Sequence, residues 1–212
     1  MALRLNGQTS GYVELDAPAV AGSNTLTLPN GNGSSGQYLQ TNGSGGLSWQ
    51  TVTDTVGAQW TTGSTQTLSG TSFVFSSIPS NVIYIRITFD DVSFNGNTDL
   101  NVRIGDSGGL ETSGYVGRSY ATSSVMNMVT DAFGFAFTAA AAYQYSGSIE
   151  LWKHSGNTWF SEARSGMQTV PDYMGYIGKK TLSDTLTQVQ LKGANGTSSF
   201  DSGTATLHYF TA

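Results

Sequence analysis

The chain contains no cysteine. That excludes disulfides, thiolate-held zinc and thiol catalysis, and it leaves the compartment open. Charge is scarce as well: 11% of the 212 residues are charged, and the net charge is −5. The nine basic residues are scattered, with Lys179 and Lys180 the one adjacent pair. Nucleic acid demands a clustered basic face, so no nucleic-acid partner is expected. Long apolar runs are missing too. The longest weakly polar stretch, residues 132–143, falls well short of the roughly 20 residues needed to span a bilayer. The start, MALRLNGQTSG, lacks a positive segment followed by an apolar one, so no signal peptide is visible. The expectation is a soluble chain without membrane insertion.

What is plentiful is turn chemistry and strand chemistry. Gly, Ser and Thr contribute 27 residues each, against 38% hydrophobic and 11% aromatic residues. Good helix formers are few. This balance favours strands joined by tight turns, with enough apolar surface to bury a core.

Residues 1–52 read as short strands, LRLNG, YVELD, NTLTL, QYLQT and LSWQT, separated by Gly/Asn/Ser turns. Alternation puts Val13 and Leu15 on one face, as it does Leu26 with Leu28 and Leu47 with Trp49. About two apolar side chains per strand cannot close a core. The economical cover is the same segment from neighbouring chains, so Val13, Leu15, Leu26, Leu28, Leu47 and Trp49 are the candidate trimer and attachment core.

From about residue 56 strands lengthen and aromatics become dense. In NVIYIRITFDD, Ile83, Ile85, Ile87 and Phe89 should face a core, with Tyr84, Arg86 and Thr88 outward and Asp90–Asp91 ending the strand. In AFGFAF, Phe133, Phe135 and Phe137 share a face, and the following Ala139–Ala142 run reads as strand rather than helical turn. GSIELWKHSG, NTWFSEARSG, DTLTQVQLKG and GTATLHYF complete about eight strands with no helical period. The fold class is all-β: a short-strand module over 1–55 and an antiparallel, jelly-roll-like β-sandwich over 56–212.

Two motifs suggest chemistry and fail on context. IGDSGG (104–109) matches the peptide around the nucleophile of chymotrypsin-like proteases, but both histidines, His154 and His208, follow Ser107, whereas that order needs histidine first. The nucleophile-elbow order would allow Ser107, one of Asp172, Asp184 or Asp201, and His208, yet it needs a helix after the serine, and GGLETSGY cannot start one. Gly31, Gly33 and Gly36 match a dinucleotide fingerprint, with Asp54 at the ribose distance. The fingerprint must open a helix, and QYLQTNGSGG reads instead as part of a hairpin loop. No cofactor is expected.

LRLNGQTSGYVELDAPAVAGSNTLTLPNGNGSSGQYLQTNGSGGLSW resembles an N-terminal module of virion structural proteins and tail fibres of tailed phages, notably those of marine cyanobacteria. Gln59–Trp60, the FVFSSIPSNVIYIRITF strand pair, the LNVRIGDSGG…TSGY hairpin, GSIELW and FDSGTATLHYF resemble the C-terminal β domain of the same appendage proteins. The resemblance implies a homotrimeric, non-enzymatic virion component. Its first module would bind other virion proteins of the tail or capsid, and its second would face the host. It also implies a structural turn at GDSGG. No shaft, heptad array or repeat separates the two parts, so a short tail appendage, or a capsid knob or decoration protein, fits the size as well as a fibre does.

The remaining candidates are weaker. Asp90–Asp91, or Glu150 with Glu162, could serve as the carboxylate pair of a capsule-degrading glycosidase, although solvated acids are the simpler reading. Asp99, Asp106 and Glu111 could hold Ca²⁺ in a loop but match no EF-hand spacing. Neither histidine has a partner at metal-ligand spacing, so no metal is expected. Trp152, Trp159, Tyr115, Tyr120, Tyr143, Tyr145 and Tyr173 could form a stacking platform for a host-surface glycan, or simply fill the core. The sequons at Asn32, Asn42 and Asn195 are products of an Asn/Gly/Ser/Thr-rich chain.

Overall fold

The computed structural model describes residues 3–20, 22–52, 59–121, 128–135, 140–168 and 173–212. The chain divides into two compact units, 1–55 and 56–212.

The first unit holds two hairpins. Strand β1 (Leu3–Asn6) pairs with β2 (Tyr12–Leu15), and β3 (Gln37–Thr41) pairs with β4 (Leu47–Thr51). NTLTL does not form the strand its alternation predicts. It contributes one parallel bridge, Thr27 to Gly46, in which Leu47 N–H donates to the Thr27 carbonyl at 2.8 Å. The glycine-rich segment before β3 is likewise no hairpin loop. It leads from that bridge into β3 and folds onto Trp49, whose indole N–H donates to the Gly31 carbonyl at 2.7 Å. A Cβ on Gly33 would lie 2.6 Å from the Trp49 ring, so only glycine permits this approach. None of the described residues in 3–52 is buried. Val13, Leu15, Leu26 and Leu28 are 65–68% exposed, while Leu47 and Trp49 are half-buried.

The second unit is a two-sheet antiparallel sandwich, the all-β architecture that the strand pattern predicts. Its strands are β5 (Gln59–Thr62), β6 (Gln66–Thr67), β7 (Ser72–Phe75), β8 (Val82–Phe94), β9 (Leu100–Asp106), β10 (Gly109–Leu110), β11 (Val116–Ala121), β12 (Met128–Val129), β13 (Phe133–Gly134), β14 (Tyr145–Ser155), β15 (Thr158–Met167), β16 (Tyr173–Thr181), β17 (Gln188–Gly193) and β18 (Phe200–Thr211). One sheet runs β12-β11-β16-β15-β14-β8-β18-β5, with β6 also on β18; the other runs β10-β9-β17-β7, with β13 on β9. The pattern's eight strands become fourteen among the described residues, because two-residue pieces carry no period and glycine-rich β11 and β16 interrupt the alternation. Between the sheets lies one core. Ile85, Ile87, Ile149, Leu151 and Trp159 from the larger sheet meet Leu100, Val102, Ile104, Val189 and Leu191 from the smaller, each at most 1% exposed. Burying each such side chain contributes about 1.5–3 kcal/mol.

Three expectations are corrected around β8. FVF and NVIYIRITF are not a pair: β7 joins β17 in the smaller sheet, whereas β8 lies in the larger. Ile83 does not face the core. Val82 pairs with Thr211 and Tyr84 with Phe210, so Ile83 is the extra residue of a bulge, and Val82 takes the inward position. Nor do Asp90–Asp91 end the strand. Asp91 adopts φ 52° in a second bulge, after which Val92 and Phe94 point inward. The Ser146 hydroxyl fastens that bulge by accepting the Asp91 N–H at 3.0 Å and donating to the Asp90 carboxylate at 2.8 Å.

Phe133 and Phe135 are buried, and Phe137 lies outside the described residues. Ala139 also lies outside them. The rest of its run is a turn rather than strand, closed by the Tyr143 N–H on the Ala140 carbonyl at 3.0 Å.

Candidate functional site

The GDSGG serine sits at the tip of a two-residue hairpin between β9 and β10. Asp106 pairs with Gly109, whose φ of +121° only glycine adopts without strain. Ser107 is exposed, and the functional weight of the segment lies in its buried neighbour. Asp106 accepts from Gly108 N–H at 2.8 Å, Asp184 N–H at 2.9 Å and the Ser183 hydroxyl at 2.7 Å. The Ser183 hydroxyl first, then the Gly108 N–H, hold the Asp106 carboxyl below its ordinary range. These bonds tie the hairpin to the β16–β17 connection. Beside it, Glu111 accepts from Ser183 N–H at 2.6 Å and pairs with the Lys180 ammonium. Burial pushes Glu111 up, but Lys180 and Ser183 outweigh it and leave the group below its ordinary range.

The residues nominated with Ser107 lie elsewhere. His208 Nδ1 is 3.1 Å from the Thr62 hydroxyl, and His154 rests against the edge of Phe160. Asp201 accepts from the Ser93 hydroxyl and Asp184 from the Thr185 N–H at 2.7 Å. Asp172 and Asp54 lie outside the described residues. Ser107→Ala should therefore change unfolding free energy by no more than about 0.5 kcal/mol, and a fluorophosphonate probe should leave Ser107 unlabelled; labelling would make the loop a hydrolase site.

The proposed calcium set is not assembled. Asp106 and Glu111 share Ser183, but Asp99 precedes the other end of β9, about 23 Å along the strand from Asp106. Among the described residues no group of three or more His, Cys, Asp or Glu is placed to hold a metal ion.

The outer face of the larger sheet brings together what the sequence scatters. Register aligns Trp60, Phe210, Tyr84, Trp152 and Phe160 in one row across β5, β18, β8, β14 and β15. Ring centroids stand 5.6 Å apart for Trp60–Phe210, 5.4 Å for Trp60–Tyr84 and 6.0 Å for Trp152–Phe160. The neighbouring row on the same strands is Thr62, His208, Arg86, Glu150 and Glu162. Arg86 donates to Glu150 at 2.9 Å and Arg164 to Glu162 at 2.8 Å. Burial first, then the Glu150 carboxylate, holds the Tyr84 hydroxyl protonated above its ordinary range. A hollow of about 300 Å³ lies between the rows, lined by Trp60, Thr62, Arg86, Thr88 and His208.

Glu150 and Glu162 do face each other, as a glycosidase pair would. However, each already holds a guanidinium, and the hollow over them, about 130 Å³, is smaller than the roughly 300–1,000 Å³ of ligand pockets. Asp90 is committed to the β8 bulge, as above. Of the nominated aromatics, Trp159, Tyr115 and Tyr145 are core residues and Tyr143 packs against the core. Tyr120 and Tyr173 form a pair at 6.2 Å, and burial first, then the Tyr173 hydroxyl, pushes Tyr120 up to about 12. Only Trp152 belongs to the aromatic row. Its other members escaped the sequence reading because cross-strand register, unlike face, has no one-strand signal.

Comparison with known proteins returns no match: no family model, no curated protein and no solved structure is similar to this chain.

Proposed function

We propose that the chain is a non-enzymatic component of a tailed-phage virion, a trimeric tail fibre or short tail appendage. Residues 1–55 attach it to the particle, and residues 56–212 present a surface to the host. One observation carries the reading: the two units differ in how they bury apolar surface. The second has a complete core, whereas the first leaves Val13, Leu15, Leu26 and Leu28 on its surface. Ordering a backbone costs roughly 1–2 kcal/mol per residue, and a unit with no buried side chain cannot offset that alone. Three copies around an axis, with these residues and Leu47 and Trp49 turned inward, would supply the missing core and cover open strand edges. The long sandwich strands and flat outer sheet suit a distal, solvent-facing role.

Reconstruction of the purified particle tests this. Threefold density fitting the sandwich should project from the tail or capsid, with residues 1–55 proximal; a particle lacking the chain would overturn the assignment.

A further inference from the structure

From the outer face of the larger sheet we infer that the aromatic row and the hollow beside Trp60 bind an uncharged pyranose oligosaccharide. This rests on the appendage reading and names its receptor chemistry. The row crosses five adjacent strands, about 19 Å at the usual strand spacing, which is an oligomer's length rather than a monosaccharide's. Trp60, on the edge strand β5, is 55% exposed, so its ring is open to a ligand. A sugar ring has an apolar C–H face and a rim of hydroxyls. Here the aromatic row would take the face, while Thr62, Arg86, Thr88 and Glu150 offer the donors and acceptors a hydroxyl rim needs.

Charge selects among occupants. The Arg86–Glu150 and Arg164–Glu162 pairs are internally neutralised, with guanidinium side chains 45% and 65% exposed. A protein partner would have to desolvate both pairs, and interface cores are depleted of charge for that reason. Nucleic-acid bases would also stack on such a row, but the net charge of −5 opposes a polyanion. A neutral glycan leaves the ion pairs partly in water and still hydrogen-bonds them.

The test is a printed array of microbial-surface and common neutral and anionic oligosaccharides, probed with the full chain and followed by titration of the best neutral binders. Trp60→Ala and Trp152→Ala should each weaken binding at least tenfold, and Val74→Ala on the opposite sheet should not. Thr62→Arg, which fills the hollow on an exposed edge, is the second variant should an alanine variant misfold; it should also abolish binding. No neutral glycan bound, preference for anionic glycans, or binding indifferent to all three outer-face variants would overturn the inference. Loss of oligomeric mass in Trp60→Ala would do so too, by making the row a subunit interface. An unbound array with the oligomer intact removes the glycan site and leaves the appendage reading standing. Glycan binding by a strictly monomeric chain does the reverse.

Discussion

Glu111→Ala should lower the unfolding free energy of the 56–212 unit by about 2–3 kcal/mol, a Tm loss of roughly 4–12 °C. The Lys180 side chain is 6% exposed, and Glu111 is its ion-pair partner. Removing one partner of a buried pair typically costs about 3–5 kcal/mol, because a buried charge is left uncompensated. The lower figure applies here because the Glu111 side chain remains 23% exposed. The same substitution also strips an acceptor from Ser183. Glu111→Leu combined with Lys180→Met should recover most of the loss, since an apolar pair of similar volume removes the orphan charge. A double variant as unstable as Glu111→Ala would mean that packing, not charge pairing, holds this corner.

The same network sets the acid limit. Asp106 and Glu111 have lowered folded-state pKa values, so their contribution is whole above the ordinary carboxylate range near 4. It is lost as pH falls below that range toward the folded-state values. Thermal melts from pH 7 to 2 should fall more steeply below about pH 4 for the native chain than for Glu111→Leu/Lys180→Met.

The second large effect concerns assembly. Leu26 is 67% exposed on a unit with no buried described residue. Leu26→Asp places a charge where three copies would converge, and an unpaired charge in an apolar contact costs several kcal/mol. The full chain should fall from trimer to monomer, while the melt of the sandwich, whose core lies wholly in residues 56–212, stays within about 2 °C. Simultaneous loss of the sandwich melt would show that the two units do not fold separately.

How far these features were legible depends on how local their causes are. Period-2 alternation identified Ile85, Ile87 and Phe89 as inward, and turn chemistry identified GDSGG as a hairpin tip, because each is decided within a few residues. Ile83 and Asp91 were misplaced because a bulge is defined by the opposing strand: Phe210 and Thr211 in one case, Ser146 in the other. NTLTL looked like its neighbours yet found only a one-residue bridge. The aromatic row is the extreme case, since it joins Trp60 to Phe210 across 150 residues of sequence and exists only once β8 and β14 are in register. A single strand's pattern shows which face a ring is on, but not which rings stand beside it.

The most direct test is the solution mass of the intact chain, measured by light scattering at micromolar concentration beside the 56–212 fragment. The account requires about three times the 22.3 kDa chain mass for the full protein and a folded monomer for the fragment. A full chain that is monomeric with residues 1–52 nonetheless ordered, or a fragment that trimerises alone, would contradict it.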